Sequence, residues 1–198
     1  MDELRPGLWT WTARHPDWTT PDDGWGPDVR SYALAAEGVL VLVDPLAPPP
    51  AVDELAAGGE VAVVLTVWDH RRSTAECVMR FGAHVHAPHE AAARLAPPAA
   101  GYAAGDALPG GLLAQTGFWP NEATLWSGAH RALFTGDVLL NEHGLSIPPD
   151  DWLEGAATPD EVRAGLRPLL ELPVELVLPT HGAPVVAGAY AQLEAALA

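Results

Sequence analysis

The sequence predicts an α+β protein whose sheet layers are covered by helices, and three observations carry that reading. The first half alternates apolar strands with helix signals in a β-α-β-α rhythm, whereas the second half turns to short strands separated by turn residues. Three apolar strands also run straight into ionisable side chains: VAVVL into Asp69-His70, ALFTG into Asp137, and VELVLPT into His181.

Taken in order, residues 5–12, RPGLWTWT, alternate as a first edge strand. Residues 13–28 follow as a loop rich in Pro, Gly and Asp that carries His15, Trp18 and Trp25. Tryptophans in a polar loop need somewhere to pack, so this segment is expected to fold back as the lid or wall of a pocket. SYALAAEGVLVLVDP reads as two strands joined at Glu37-Gly38. Residues 48–57 read as a helix, with prolines at its start and glycines beyond its end.

The run 61–65 suits a strand buried on both faces. Ser73 then opens a helix with Glu76 as its capping-box partner, which leaves Asp69 and His70 on a strand-to-helix loop. In helix-covered sheets that is where ligands bind. AHVHAP reads as a short strand and HEAAARL as a short helix. Residues 112–115, 123–127 and 132–135 are further strands, and HGLSIPPDDW is a loop after Asp137. Thr158-Pro159-Asp160-Glu161 starts a helix with an N-cap, a proline at the first position and a capping-box glutamate. A strand over 175–178 and a helix over 187–197 complete the pattern.

At 198 residues the chain fits one domain. A formal charge of −16, with ten arginines and no lysine, argues against nucleic-acid and anionic-membrane partners. A lone cysteine, Cys77, cannot form an internal disulfide and reads as a small buried apolar residue. No apolar run reaches about 18 residues and the N-terminus lacks signal-peptide character, so a soluble cytoplasmic protein is expected.

The order VLVDP (41–45), Asp69-His70, Gly136-Asp137 and Pro179-Thr180-His181-Gly182 resembles the metallo-β-lactamase-fold superfamily from about Ser31 onward. The resemblance implies a four-layer αββα sandwich spanning 1–198 as a single domain, with residues 13–28 folding back on it. The family's T-H-x-H-x-D-H motif is incomplete: its first two histidine positions hold Leu65 and Val67. Another histidine expected before the Gly-Asp step falls on Phe118 or Trp119. What the resemblance retains is the second metal set, Asp69, His70, Asp137 and His181, for one divalent ion: zinc, with iron or manganese as alternatives.

Two carboxylates and two imidazoles suit a zinc-like ion, which lowers the pKa of a bound water to about 7. The implied reaction is attack of that water on an ester, thioester, amide or phosphoester, with Asp137 and His70 as the catalytic pair. The same four residues also fit a bland reading, as relics that hold loops by hydrogen bonds. The fold would then serve as a non-catalytic module binding a small molecule or a partner protein. Metal-free acid-base chemistry by an Asp-His pair is a third reading. No Gly-x-Ser-x-Gly elbow or convincing cysteine nucleophile supports a covalent route.

Candidate substrate contacts are His15, which the HPDW turn would bring over the site, together with Trp18, Trp68 and Trp119. Arg71 and Arg72 suit either an anionic substrate group or solvated helix-start positions. His84, His86 and His89 read as surface or packing residues, and His143, Trp152 and Asp150-Asp151 border the opening in similar folds.

Overall fold

The computed structural model describes residues 1–20, 25–153, 155 and 157–198. Residues 21–24 of the predicted folding-back loop lie outside the described residues.

Seven strands form the first sheet in sequence order: β1 (Asp2–Arg5), β2 (Leu8–Arg14), β3 (Asp28–Ala36), β4 (Val39–Val43), β5 (Glu60–Val64), β6 (His84–Pro88) and β7 (Ala100–Tyr102). β1 to β4 pair antiparallel, and β4 to β7 pair parallel. The parallel part needs crossovers, supplied by α1 (Ala51–Ala56) between β4 and β5 and α2 (Thr74–Phe81) between β5 and β6. The short α3 (His89–Ala92) leads out of β6. The second sheet has the order β12-β11-β10-β9-β8, from β8 (Ala107–Leu108), β9 (Leu112–Thr116), β10 (Ala123–Ser127), β11 (Ala132–Gly136) and β12 (Leu176–Pro179). Helices α4 (Pro159–Leu166) and α5 (Ala189–Ala196) cover it.

Three apolar clusters show why the layers stack as they do. Between the sheets, Leu34, Val41, Val43 and Val64 of one meet Leu112, Leu125, Phe134 and Leu178 of the other. On the outer face of the first sheet, Ala33, Leu42 and Val63 pack under Val52 of α1, Cys77 of α2 and Ala91 of α3. On the outer face of the second, Trp126, Leu133 and Val177 pack under Val162 and Leu166 of α4 and Leu193 of α5. Strand β4 sends Val41 and Val43 inward and Leu40 and Leu42 outward, so both of its faces are apolar. Each fully buried Val or Leu of this kind stabilises the fold by about 1.5–3 kcal/mol. The layer order is therefore the expected αββα sandwich.

Several local expectations shift. The predicted first strand is not the edge: β1 precedes it and pairs with β2 across the Pro6-Gly7 turn. The Ser73-Glu76 capping box does not form, because the Ser73 hydroxyl instead accepts the Ala47 N–H at 2.9 Å. The box at Thr158-Glu161 does form, with both reciprocal bonds present. Strands β7 and β8 had no sequence signal, being three and two residues long.

Candidate active-site pocket at the shared strand ends

The strand ends β4, β5, β11 and β12 converge at one edge of the two sheets, and each delivers a polar side chain there. Beyond β4, Asp44 sits in the left-handed region at φ 48°, with only 2% of its surface exposed. Its carboxylate accepts the Thr66 N–H at 2.8 Å and the Thr66 hydroxyl at 2.6 Å, and its Oδ2 lies 2.9 Å from His70 Nδ1, which also meets Thr66 Oγ1 at 3.1 Å. Ser31 donates to the Asp44 carbonyl at 2.7 Å, so this residue is tied to β3 as well.

Beyond β5, residues Trp68–Arg71 form a single 3₁₀ turn. That turn separates its two polar residues. His70 points inward, its side chain 3% exposed, while Asp69 points outward, its side chain 72% exposed and 3.8 Å from Arg71. On the far side of the ring, His70 Nε2 lies 3.1 Å from Asp137 Oδ2. A continuous hydrogen-bonded chain, Asp44–His70–Asp137, therefore crosses between the sheets.

Asp137 and His181 are placed by two close backbone approaches that only glycine permits. At Gly136, φ is 52° and a Cβ would collide with the Thr66 side chain. At Gly182, φ is 88° and a Cβ would collide with the Asn141 backbone. The His181 segment is further held by Arg30 N–H to Thr180 O at 2.9 Å and by Asn141 N–H to His181 O at 2.9 Å. This leaves His181 Nε2 3.6 Å from Asp137 Oδ1. Both Asp137 Oδ1 and His181 Nδ1 are buried without a hydrogen-bond partner.

These groups form the floor of a cavity of about 450 Å³. Its walls come from the N-terminal loop, through His15, Pro16 and Trp25, and from the loop after β11, through Trp152. Trp25 and Trp152 both meet the His181 ring edge-on, at 5.2 and 5.4 Å, and His15 meets Trp25 at 5.1 Å. Asp69 and Arg71 stand at the rim.

Arg72 also enters this cavity. Its backbone lies at φ 22°, ψ −110°, outside the populated basins for a residue with a side chain. Its Nη1 donates to the Asp44 carbonyl at 3.3 Å, and its Nε is buried without a partner.

The electrostatics follow from this crowding. For His70, burial and the Arg72 charge depress proton affinity, but Asp137 and Asp44 outweigh them and lift the pKa to about 9. Burial alone would raise Asp137, yet His70, His181 and Arg72 together hold it well below the usual carboxylate range. His181 and His15 are both lowered, chiefly by burial. At neutral pH the floor thus sets the Asp137 carboxylate against the His70 imidazolium and the Arg72 guanidinium, with His181 neutral.

Of the residues expected at the site, the structure brings together His70, Asp137, His181 and His15. Asp69 is held at the cavity rim by the 3₁₀ turn, its carboxylate exposed and away from His181 and Asp137 on the floor. Trp18 lies beside the cavity, its Nε1 donating to Trp25 O at 2.9 Å and Arg14 resting on its ring, where it lines a neighbouring cleft with Glu142 and His143. Trp68 belongs to the helical layer of the first sheet, sandwiched between Arg71 and Arg94 at 3.8 and 4.2 Å. Trp119 and Phe118 pack edge-to-face at 4.7 Å over the outer core of the second sheet, with Phe118 against Gly165 of α4. Apolar burial draws both aromatics out of the region where a histidine was expected.

Three participants were not singled out for these roles. Asp44 stood in the quoted VLVDP motif, whose strand-end aspartate was the available signal. Arg72 was legible as a basic residue but not as one facing inward. Glu122 is buried behind the site, bridged to Val67 through the backbone, and burial with Asp137 nearby pushes its carboxyl up to about 8. Nothing in NEAT signals that burial.

The ligand set does not match a metal ion as the side chains stand. His70 has both ring nitrogens engaged, Asp69 faces solvent, and a guanidinium occupies the same cavity. Among the described residues no three His, Cys, Asp or Glu side chains group so as to hold one.

A two-sheet αββα sandwich with its pocket at the shared strand ends defines the class. Comparison with solved structures gives it a name: the chain has the metallo-β-lactamase fold. A metallo-β-lactamase from Pontibacter korlensis superposes with a TM-score of 0.70 at 16% identity, covering 99% of this chain and 97% of its own. A protein solved in a di-iron-bound form gives 0.63 at 24% identity, over 86% and 94%. The chemotaxis sensor ODP, solved as a peroxy-diiron species, gives 0.64 at 17% identity, over 85% and 84%. At the level of sequence, no family model and no curated protein matches. No helix among the described residues is long and apolar enough to cross a membrane.

Proposed function

We propose that this chain binds a small molecule in the cavity at the shared strand ends, on a metallo-β-lactamase fold whose metal-ligand set has been rebuilt into a hydrogen-bonded chain. The supporting observation is His70, whose Nδ1 meets Asp44 at 2.9 Å and whose Nε2 meets Asp137 at 3.1 Å. With Asp44 and Thr66 at one nitrogen and Asp137 at the other, both ring nitrogens are already engaged, and a histidine protonated on both has no lone pair for a metal. Asp44 and Thr66 orient the ring, the ring faces Asp137 Oδ2, and the Asp137 side chain, 24% exposed, lines the cavity floor where a ligand meets it.

A second reading, a single zinc, iron or manganese ion serving hydrolysis of an ester, thioester, amide or phosphoester, has one observation in its favour. Asp137 Oδ1 and His181 Nε2 face each other at 3.6 Å, and that oxygen has no partner. Elemental analysis of protein purified without chelator or a histidine tag separates the two. The binding reading expects no stoichiometric metal and an unfolding temperature indifferent to chelator. About one metal per chain, lost in an Asp137→Ala, His181→Ala double variant, would overturn it in favour of the hydrolase.

A further inference from the structure

We infer that Arg72 is the anchoring cation of this pocket and that its ligand is a small monocarboxylate with a flat apolar body. The inference rests on the small-molecule reading above and names the ligand class for that site.

Arginine keeps its charge at any accessible pH, so a half-buried guanidinium is stabilised by an anionic partner. Arg72 has only the Asp44 carbonyl, at 3.3 Å on Nη1, and its Nε is buried with none. Asp44 and Asp137 influence it through space, but neither forms an ion pair with it among the contacts of the described residues. The side chain lines the cavity, and through its two Nη groups a guanidinium grips a carboxylate by parallel N–H···O bonds.

Arg72 follows the 3₁₀ turn at φ 22°, ψ −110°, a conformation strained for a residue with a Cβ. Arg71, one residue earlier, stacks on Trp68 at the rim. The turn thus sends one arginine outward and the other into the cavity, and a strained backbone holds the second there.

Charge and shape narrow the ligand. The cavity is lined by Asp17, Asp69 and Asp137 against His70, Arg71 and Arg72, so its fixed charges balance and no surplus of positive charge favours a dianionic phosphate over a monoanion. Trp25, Trp152 and Pro16 line the cavity beside His181, and this aromatic and apolar wall suits a flat ring packed against it. A volume of about 450 Å³ admits a single-ring or two-ring molecule.

The test is calorimetric titration of the intact chain with benzoate, its neutral isostere benzamide, and phenyl phosphate. The expected result is that benzoate binds more tightly than either. Arg72→Met, which keeps the apolar stem, should weaken benzoate by about tenfold to a hundredfold while leaving benzamide unchanged. Arg72→Lys should recover only part of the loss, having charge without the fork. Trp152→Ala, outside the charged chain, should weaken benzoate and benzamide alike, and circular dichroism on each variant confirms folding. Equal binding of benzoate and benzamide, or benzoate affinity indifferent to Arg72→Met, overturns the ligand class and leaves the pocket reading standing. Tighter binding of phenyl phosphate than benzoate overturns the choice of a carboxylate. Binding of none of the three by a protein that carries stoichiometric metal overturns both readings together.

Discussion

The residue that organises the pocket is Asp44, and its removal has a calculable consequence. Its carboxylate holds three groups: it accepts the Thr66 N–H and the Thr66 hydroxyl, and it pairs with His70 Nδ1 at 2.9 Å. Asp44→Ala leaves all three in a site where Asp44 and Thr66 have at most 2% exposure. An orphaned buried donor costs about 1–3 kcal/mol, but the Thr66 hydroxyl can rotate to another acceptor. The net loss expected is about 4 kcal/mol, a large part of a stability of about 5–15 kcal/mol. Asp44→Asn is the sharper probe, because asparagine tolerates the positive φ and keeps the shape. Its amide turns a donor toward His70, which must then accept at Nδ1 and give up its extra proton.

The sign follows from linkage. His70 is raised from 6.5 to about 9, so the stability it contributes is complete below about pH 6.5 and is lost as pH rises through about 9. The penalty of Asp44→Asn should therefore be greatest at pH 6 and fade above pH 9. Urea unfolding followed by tryptophan fluorescence, at both pH values, measures it, and nitrogen-15 shifts of the His70 ring report the protonation directly. A loss below about 1 kcal/mol for Asp44→Ala would refute the argument that Asp44 organises the chain. An Asp44→Asn protein in which His70 still titrates near 9 would show that Asp137 alone holds the proton.

Further outcomes are expected elsewhere. Glu122 is raised to about 8 by burial, so its contribution is present below pH 4.5 and lost as pH rises toward 8; Glu122→Gln should stabilise the protein by a few kcal/mol at pH 9 and little at pH 4, by urea unfolding. Gly136→Ala, which drives a Cβ into Thr66 at positive φ, should destabilise by about 2–4 kcal/mol and displace Asp137, read in the unfolding midpoint and in weakened ligand binding. Asp69→Ala should change stability by less than about 0.5 kcal/mol, since the carboxylate is exposed and opposed only by a surface arginine. A large effect there on metal content or turnover would restore Asp69 to the site.

The sequence by itself determined the layers and the meeting point. Continuous apolar runs such as VLVLV and VAVVL demand strands covered on both faces, and polar residues at their ends must then gather at one sheet edge. The Gly-Asp and His-Gly steps were legible for the same reason, although only the close approach of Thr66 and Asn141 explains why glycine is required. Tertiary structure decided which side chains face inward. Asp69 and His70 are neighbours in sequence, yet one 3₁₀ turn sends them opposite ways. Trp68 and Trp119 were plausible walls, but each follows apolar surface into a helical layer. Asp44, Arg72 and Glu122 took on their roles through contacts with residues distant in the chain, among them Thr66, Asp44 and Val67 respectively. The physical reason is that period and propensity specify which face a strand residue occupies, whereas the direction of a loop side chain is set by backbone dihedrals and neighbours that only the assembled sheets supply.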